Sequence, residues 1–282
     1  MEYEFLPIKT DKASIDEIVA LLQITFPESN KFTYAYIEWQ YKNNPDGEVV
    51  GYNAYDSGKL IAHYALMPFK ATVFDKEELG LLSLNTATHP AYQGKGLFVK
   101  LAEMSYELAR HNGYGFVIGV ANANSSYGFI YKLNFQKIGE LEARIGFGAL
   151  KRLKDEENKV NYYKREWSDA SLRWRLNNPS CNYKVTEDFI FSMTSVFFIK
   201  AILFEKYGGF LFHKKETEMK LRKLNLWIGI DNSIDWKASN YFEIPKRLRP
   251  SPLNLIFKDL TVNNRKLELN TVLFNALDFD AY

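Results

Sequence analysis

The stretch from Leu79 to Arg110 constrains this chain more than any other, because it joins an apolar strand, a glycine loop and an amphipathic helix without a break. Leu79 to Thr88 reads as strand, closed by His89-Pro90, and a loop containing Gly94 and Gly96 follows. From there Leu97, Leu101, Ser105 and Leu108, flanked by Phe98, Ala102 and Ala109, form one helix face, opposite Lys100, Glu103, Glu107 and Arg110. Gly113 stops that helix. A glycine loop entering a helix presents unpaired backbone N–H groups and the positive end of the helix dipole, and glycine lets a bulky anion approach closely. The pattern predicts a pyrophosphate cradle at residues 93–98. Two common nucleotide loops do not fit: Val99 stands where the dinucleotide-binding fingerprint needs its third glycine, and no Gly-Lys-Ser/Thr follows four spacer residues.

Around this segment the chain alternates elements. Residues 3–9 predict a first strand, and Ser14 with Glu17 predicts a capping box that opens a helix with Ile15, Ile18, Val19 and Leu22 on its apolar face. A second helix over Thr33 to Lys42 ends at Asn43-Asn44-Pro45. Val49 to Tyr55 and Leu60 to Lys70 predict a hairpin through Asp56-Ser57-Gly58. Downstream come a strand over Tyr114 to Val120, a short helix over Asn124 to Lys132 and more strand over Gln136 to Gly146. The order β-α-α-β-β-β-α-β-α-β implies an α/β class fold, a mixed sheet with helices on its faces.

With 282 residues there is room for a second domain. The charged stretch Lys151 to Lys159 marks a boundary, giving domains 1–147 and 148–282. The second partly repeats the first: Trp39-Gln40-Tyr41-Lys42-Asn43-Asn44-Pro45 is echoed by Trp174-Arg175-Leu176-Asn177-Asn178-Pro179. Nothing after residue 147 resembles the Gln93-to-Gly96 loop, so a second copy of the fold would be degenerate and lack its anion site.

The 36 basic and 34 acidic residues leave a net charge of only +2, which argues against nucleic acid or an anionic membrane as partner. Cys181 is the lone cysteine and there are four histidines, so neither a disulfide nor a metal site is expected, and a reducing cytoplasm fits. The first four residues lack the basic and apolar regions of a signal peptide. Phe189 to Phe204, the most apolar run, is interrupted by Ser192, Thr194, Ser195 and Lys200 and reads as buried strand rather than membrane span.

Gln93-Gly94-Lys95-Gly96-Leu97-Phe98, after a strand ending in Thr88-His89-Pro90, resembles the Gln/Arg-x-x-Gly-x-Gly/Ala signature of the GNAT superfamily of N-acyltransferases. Val120 to Ser126, followed by Tyr131-Lys132-Leu133-Asn134-Phe135, resembles the later strand-helix-strand segment of the same superfamily. The resemblance implies a GNAT fold over residues 1–147 with a degenerate GNAT-like half behind it. It also implies a coenzyme A thioester, acetyl-CoA or a longer acyl-CoA, as co-substrate, with no metal. Backbone amides of Gln93, Gly94, Lys95, Gly96, Leu97 and Phe98 would hold the pyrophosphate, and Thr86, Ala87 and Thr88 would pair with the pantetheine arm. Asn122, Asn124 and Ser126 would complete the cofactor site. Two departures stand out: Phe98 replaces a small residue, and Asn134 replaces a glycine, which asparagine tolerates in a left-handed conformation.

The reaction implied is attack of a neutral amine on a thioester, which asks for a base, donors for the oxyanion and an acid for the departing thiolate. His63 and Asn85, on strands beside the loop, are the candidates for base and for orienting acceptor or water. The acid tyrosine of the family is out of register by about one position here, so Tyr127 and Tyr131 are both candidates. The segments Arg249 to Leu255 and Leu277 to Tyr282 resemble long-form bacterial GNAT proteins of surface-polysaccharide pathways, which implies a nucleotide-linked amino sugar as the small-molecule acceptor. Arg247, Arg249 and Trp174 are the residues expected to hold it. An aminoglycoside-like or peptide amine is the alternative acceptor, a non-catalytic acyl-CoA sensor the alternative class, and a homodimer through the C-terminal half the alternative role for that half.

Overall fold

The computed structural model describes residues 3–153, 161–186, 189–205 and 224–279. The first half runs β1 (Glu4–Pro7), α1 (Lys12–Thr25), α2 (Tyr34–Tyr41), β2 (Val50–Asp56), β3 (Lys59–Val73), β4 (Lys76–Thr88), α3 (Leu97–His111), β5 (Phe116–Ala121), α4 (Ala123–Tyr127), β6 (Gln136–Glu140) and β7 (Glu142–Gly146). The second runs β8 (Tyr163–Glu166), α5 (Asp169–Leu176), β9 (Lys184–Val185), β10 (Phe189–Met193), β11 (Ile199–Glu205), β12 (Leu224–Ile230), β13 (Tyr241–Glu243), β14 (Asn254–Asp259) and β15 (Val272–Asn275). The expected order of the first half is present. Among the described residues all fifteen strands belong to one mixed sheet, in which β4 and β5, β8 and β15, and β11 and β12 pair in parallel within antiparallel runs.

The two faces of β3 bury against different helices, as the period of two requires. Ala65, Met67 and Phe69 pack with Ile15, Ile18 and Leu22 of α1 and Tyr36, Ile37 and Tyr41 of α2. Tyr64 and Leu66 pack with Leu97, Leu101, Ala102 and Tyr106 of α3. The turn between β2 and β3 sits where expected, with Ser57 and Gly58 both at positive φ (50° and 77°). α1 starts two residues before Ser14, however. The Asp11 carboxylate accepts from the Ser14 N–H (3.1 Å) and is the cap, while Glu17 accepts from the Tyr55 hydroxyl instead (3.3 Å).

The continuous strand expected over Gln136 to Gly146 breaks at Leu141, and its two parts go to different halves. β6 stays with the first half. β7 leaves it to lie between β12 and β13. The vacated position between β5 and β6 is filled by β14, with Asn254 to Asp259 running antiparallel to Ala121 to Phe116. The halves thus exchange one strand each across residue 147. Where the exchanged segments cross, the Leu141 N–H donates to the Leu253 carbonyl (2.8 Å) and Arg249 donates to the Leu141 carbonyl (3.3 Å).

The tryptophans of the echoed segments meet face to face. Trp39 on α2 and Trp174 on α5 stack with centroids 4.6 Å apart, and each indole N–H donates to the other's backbone carbonyl (2.9 and 2.8 Å). Beyond each helix the asparagine oxygen accepts from the N–H two residues on, Asn44 from Asp46 and Asn178 from Ser180. Such reciprocity is what a local two-fold relation between the echoes produces.

Phe189 to Phe204 forms two strands rather than one. Thr194 turns the chain by bonding the carbonyls of Val196 and Ile199, so Val196, Phe197 and Phe198 are exposed. Among the described residues no helix is long and apolar enough to cross a membrane, and no group of three or more His, Cys, Asp or Glu could hold a metal. Residues 154–159 of the charged stretch and 280–282 of the terminal segment lie outside the described residues.

Candidate active site

β4 and β5 pair only from Gly80/Phe116 to Ser83/Gly119 and then part. β4 continues to Thr88 against β3 on one side, while its edge toward β5 has no strand partner among the described residues. The parting coincides with a bulge: Leu84 faces Ala65 and Ala87 faces His63, so Asn85 and Thr86 together oppose Tyr64. Asn85 takes the extra turn in a left-handed conformation (φ 48°).

The predicted loop opens onto the same place. Gly94 and Gly96 both have φ of 76°, and a Cβ built on either would meet no atom within 4 Å. Packing therefore does not require glycine there; backbone conformation does, and the space beside it is open. Gly96 is the N-cap of α3 and no side chain caps the helix, which leaves the first-turn N–H groups directed into a cleft of about 360 Å³. Thr88, Tyr92, residues 93–99 and Lys132 line it. Lys95 lies over the Tyr92 ring (4.6 Å), and the Tyr92 hydroxyl donates to Asp56 (2.7 Å), tying the loop to the β2–β3 turn. The Phe98 ring turns inward between Tyr64 and Phe129, in space that a Cβ on Gly128 would invade at 2.7 Å. Glycine at 128 accommodates the bulk at 98. Asn134 is indeed left-handed (φ 55°).

Asn122 caps α4: its Oδ1 accepts from the N–H groups of Asn124 and Ser125 (3.0 Å each). The Ser126 hydroxyl donates to the Asn122 carbonyl (2.7 Å) and accepts from Asn254 on β14 (2.9 Å), while Ser251 accepts from the Ala123 N–H (3.1 Å). The Asn122 and Ser126 side chains thus serve α4 itself, and Asn124 takes part through its backbone N–H. The second half therefore braces the helix that follows β5, a role that only the exchanged strand reveals. A π turn over Gly128–Lys132 follows α4, and Tyr127 and Tyr131 sit beside each other on its outer side (5.2 Å), both exposed.

Three expected assignments change. His63 is wholly buried, with Nε2 bonded to the Tyr41 hydroxyl (2.8 Å) and Nδ1 to Asn53 Oδ1 (2.7 Å), and burial pulls its pKa down to about 3. It is a buried neutral imidazole with both ring nitrogens engaged. Arg249 is nearly buried and committed to Glu140 (3.2 Å), Glu243 (2.9 Å) and two backbone carbonyls, so it pins the crossover rather than a diphosphate. Trp174 is stacked in the core. Arg247 is exposed, on a short 3-10 turn. Asn85 stands on the bulge where β4 parts from β5, and its Nδ2 donates to Gln40 Oε1 (2.6 Å) and to the Tyr41 hydroxyl (3.1 Å). Gln40 and Tyr41 escaped the sequence reading because they look like ordinary helix residues.

The sequence profile of the acetyltransferase (GNAT) domain matches residues 7–138, which enclose every element of the cleft up to β6. Residues 7–138 match the GNAT acetyltransferase domain. It is the domain of an acyl-CoA-dependent N-acyltransferase, and its co-substrate is a coenzyme A thioester. No curated protein matches the chain in sequence. Among solved structures, a probable N-acyltransferase from Enterococcus faecalis V583 is similar in fold (TM-score 0.60, 11% identity, 92% of this chain and 73% of that one). A GCN5-related N-acetyltransferase from Anabaena variabilis is similar too (0.59, 11%, 92% and 74%), as is Eis1 from Mycobacterium abscessus (0.58, 8%, 92% and 74%). The likeness in fold runs well past the GNAT domain into the second half.

Proposed function

We propose that the chain is a cytoplasmic enzyme that moves an acyl group from coenzyme A to the primary amine of a small molecule, the two substrates meeting where β4 and β5 part. The observation that carries this reading is the uncapped, doubly left-handed glycine entry to α3 beside the unpaired edge of β4. Backbone N–H groups of residues 94–98 would take the pyrophosphate, and the free edge from Asn85 to Thr88 would pair with the pantetheine amides as an added strand does. Tyr127 and Tyr131, at the far side of β5, are the candidates to protonate the thiolate.

α3 and the cofactor loop occupy one face of the sheet, and Asn85 turns its side chain to α2 on the other, so the amine would arrive from the α2 face. Among the described residues Asn85 is bonded to Gln40 and Tyr41 and to no histidine or carboxylate, which suits an enzyme that works mainly by aligning amine and thioester. A nucleotide-linked amino sugar is one such amine, but Arg249 and Trp174 are committed elsewhere and lend it no support. The test is thiol release and mass spectrometry with acetyl-CoA and longer thioesters against glucosamine, its nucleotide-linked form, an aminoglycoside, a polyamine and a peptide amine. Transfer to a small amine is expected; tight coenzyme A binding without transfer to any of them would point to a sensor.

A further inference from the structure

We infer that Asn85 receives the acceptor amine through its side-chain oxygen, and that a chain of oriented hydrogen bonds running through Tyr41 and His63 fixes the amide so that it can do nothing else. The inference rests on the acyl-transfer reading above and adds the group that recognises the nucleophile.

Each link in the chain has a direction. The Tyr55 hydroxyl donates to Glu17 (3.3 Å), and an ionised carboxylate only accepts. Tyr55 oxygen then accepts from Asn53 Nδ2 (3.4 Å), which turns Asn53 Oδ1 toward His63 Nδ1 (2.7 Å). His63 must carry its proton on Nδ1, so Nε2 is bare and accepts from the Tyr41 hydroxyl (2.8 Å). The Tyr41 oxygen, its proton spent, accepts from Asn85 Nδ2 (3.1 Å). The second Nδ2 proton goes to Gln40 Oε1 (2.6 Å), and Gln40 is itself oriented by donating through Nε2 to Tyr36 (3.2 Å). Gln40, Tyr41, Asn53 and His63 are all buried, so water does not blur the order.

The consequence is chemical. Both amide protons of Asn85 point inward, and Oδ1 accepts from no described residue. Asn85 is only half-buried, on the bulge where β4 leaves β5, so that oxygen is offered to whatever enters the site. An amide oxygen recognises an N–H donor but does not take its proton. It would hold a primary amine by one hydrogen and aim the nitrogen lone pair, leaving deprotonation to water. Reversing the amide requires every link to reverse, with His63 protonated on Nε2 and Glu17 left without its donor.

That alternative has a direct readout. Nitrogen-15 NMR of the intact protein should show His63 as the neutral Nδ1–H tautomer; the Nε2–H tautomer would overturn the inference. In acetyl-CoA turnover with the amine panel, Tyr41→Phe should raise the amine KM about tenfold with acetyl-CoA affinity by calorimetry unchanged, and Asn85→Ala should raise the amine KM at least as much. Unchanged amine KM in a folded, active Tyr41→Phe or Asn85→Ala enzyme would overturn it as well. A wild-type protein that neither binds coenzyme A nor releases thiol with any amine would instead sink the acyl-transfer reading, and the amine assignment with it.

Discussion

A left-handed backbone at Gly96, in space no protein atom claims, separates what a substitution there does to the fold from what it does to the ligand. Valine at φ 76° is strained by about 1–2 kcal/mol, yet its side chain would project into the open space proposed for the pyrophosphate. Gly96→Val should therefore lower the melting temperature modestly and weaken coenzyme A binding by tenfold or more in calorimetry; full affinity in the folded variant would remove the loop from the cofactor site. The tyrosines beyond α4 pose a sharper question, since they stand side by side. Phenylalanine at the tyrosine that serves as acid should lower kcat about a hundredfold, with little change at its neighbour. Near-normal turnover in both variants would leave the proton to water. His63 makes its own prediction about pH. Its folded pKa of about 3 lies below the ordinary 6.5, so the unfolded chain binds a proton between these values that the native chain refuses. Stability from this group is intact above pH 6.5 and falls as pH drops toward 3, by up to about 1.4 kcal/mol per pH unit. Thermal melts from pH 7 to 4 should show a shallower decline in His63→Gln than in the wild type.

Local elements were legible in the sequence because local physics dictates them. The apolar stripe of α3, the Asn43-Asn44-Pro45 stop of α2 and the Ser57-Gly58 turn each follow from side-chain periodicity or backbone freedom, and each lies where expected. The glycine loop was legible for the same reason. What escaped were decisions made by distant partners. Gln136 to Gly146 looks like one strand because nothing in it forbids one, and only β12 and β14 divide it at Leu141. Arg249 looked like an anion ligand because its charge was visible and its carboxylates, 109 and 6 residues away, were not. The corrected role changes the expected phenotype. Arg249→Ala would leave Glu140, whose carboxyl is held below its usual range first by Lys246 and then by Arg249, with Lys246 alone, and would leave the Leu141 and Ile244 carbonyls short of a donor. The arginine is nearly buried but Glu243 is half-exposed, so a cost of about 2 kcal/mol is reasonable, below the 3–5 kcal/mol of a fully buried pair. Denaturant unfolding should show that loss while the acceptor KM stays within twofold; a large KM effect without destabilisation would return Arg249 to the acceptor site.

At the scale of the whole molecule, the second half shares one sheet with the first although its sequence has no glycine loop of its own. Our reading of it as a degenerate second copy draws support from the reciprocal tryptophan pair and from the exchange of β7 for β14, which is what two similar sheets can trade without loss of pairing. β14 supplies both ladders that β5 and β6 need, and its buried residues serve both faces of the sheet. Leu255 and Phe257 join the α1–α2 core, with Phe257 stacked on Phe116 at 5.7 Å, and Ile256 joins the α3 core. Removing it would bare two strand edges and open both cores, a combination that favours aggregation over a looser native state. A fragment ending at residue 147 contains the whole cofactor loop, yet it should fail to melt cooperatively and should bind no coenzyme A. Joint expression with residues 148–282 should restore both, because the exchanged strand can be supplied from a separate chain. The two outcomes divide the explanations cleanly: a 1–147 fragment that folds and binds coenzyme A with undiminished affinity would mean the second half merely caps a self-sufficient domain, whereas rescue only by the second half would mean that the site for the thioester is a property of the exchange.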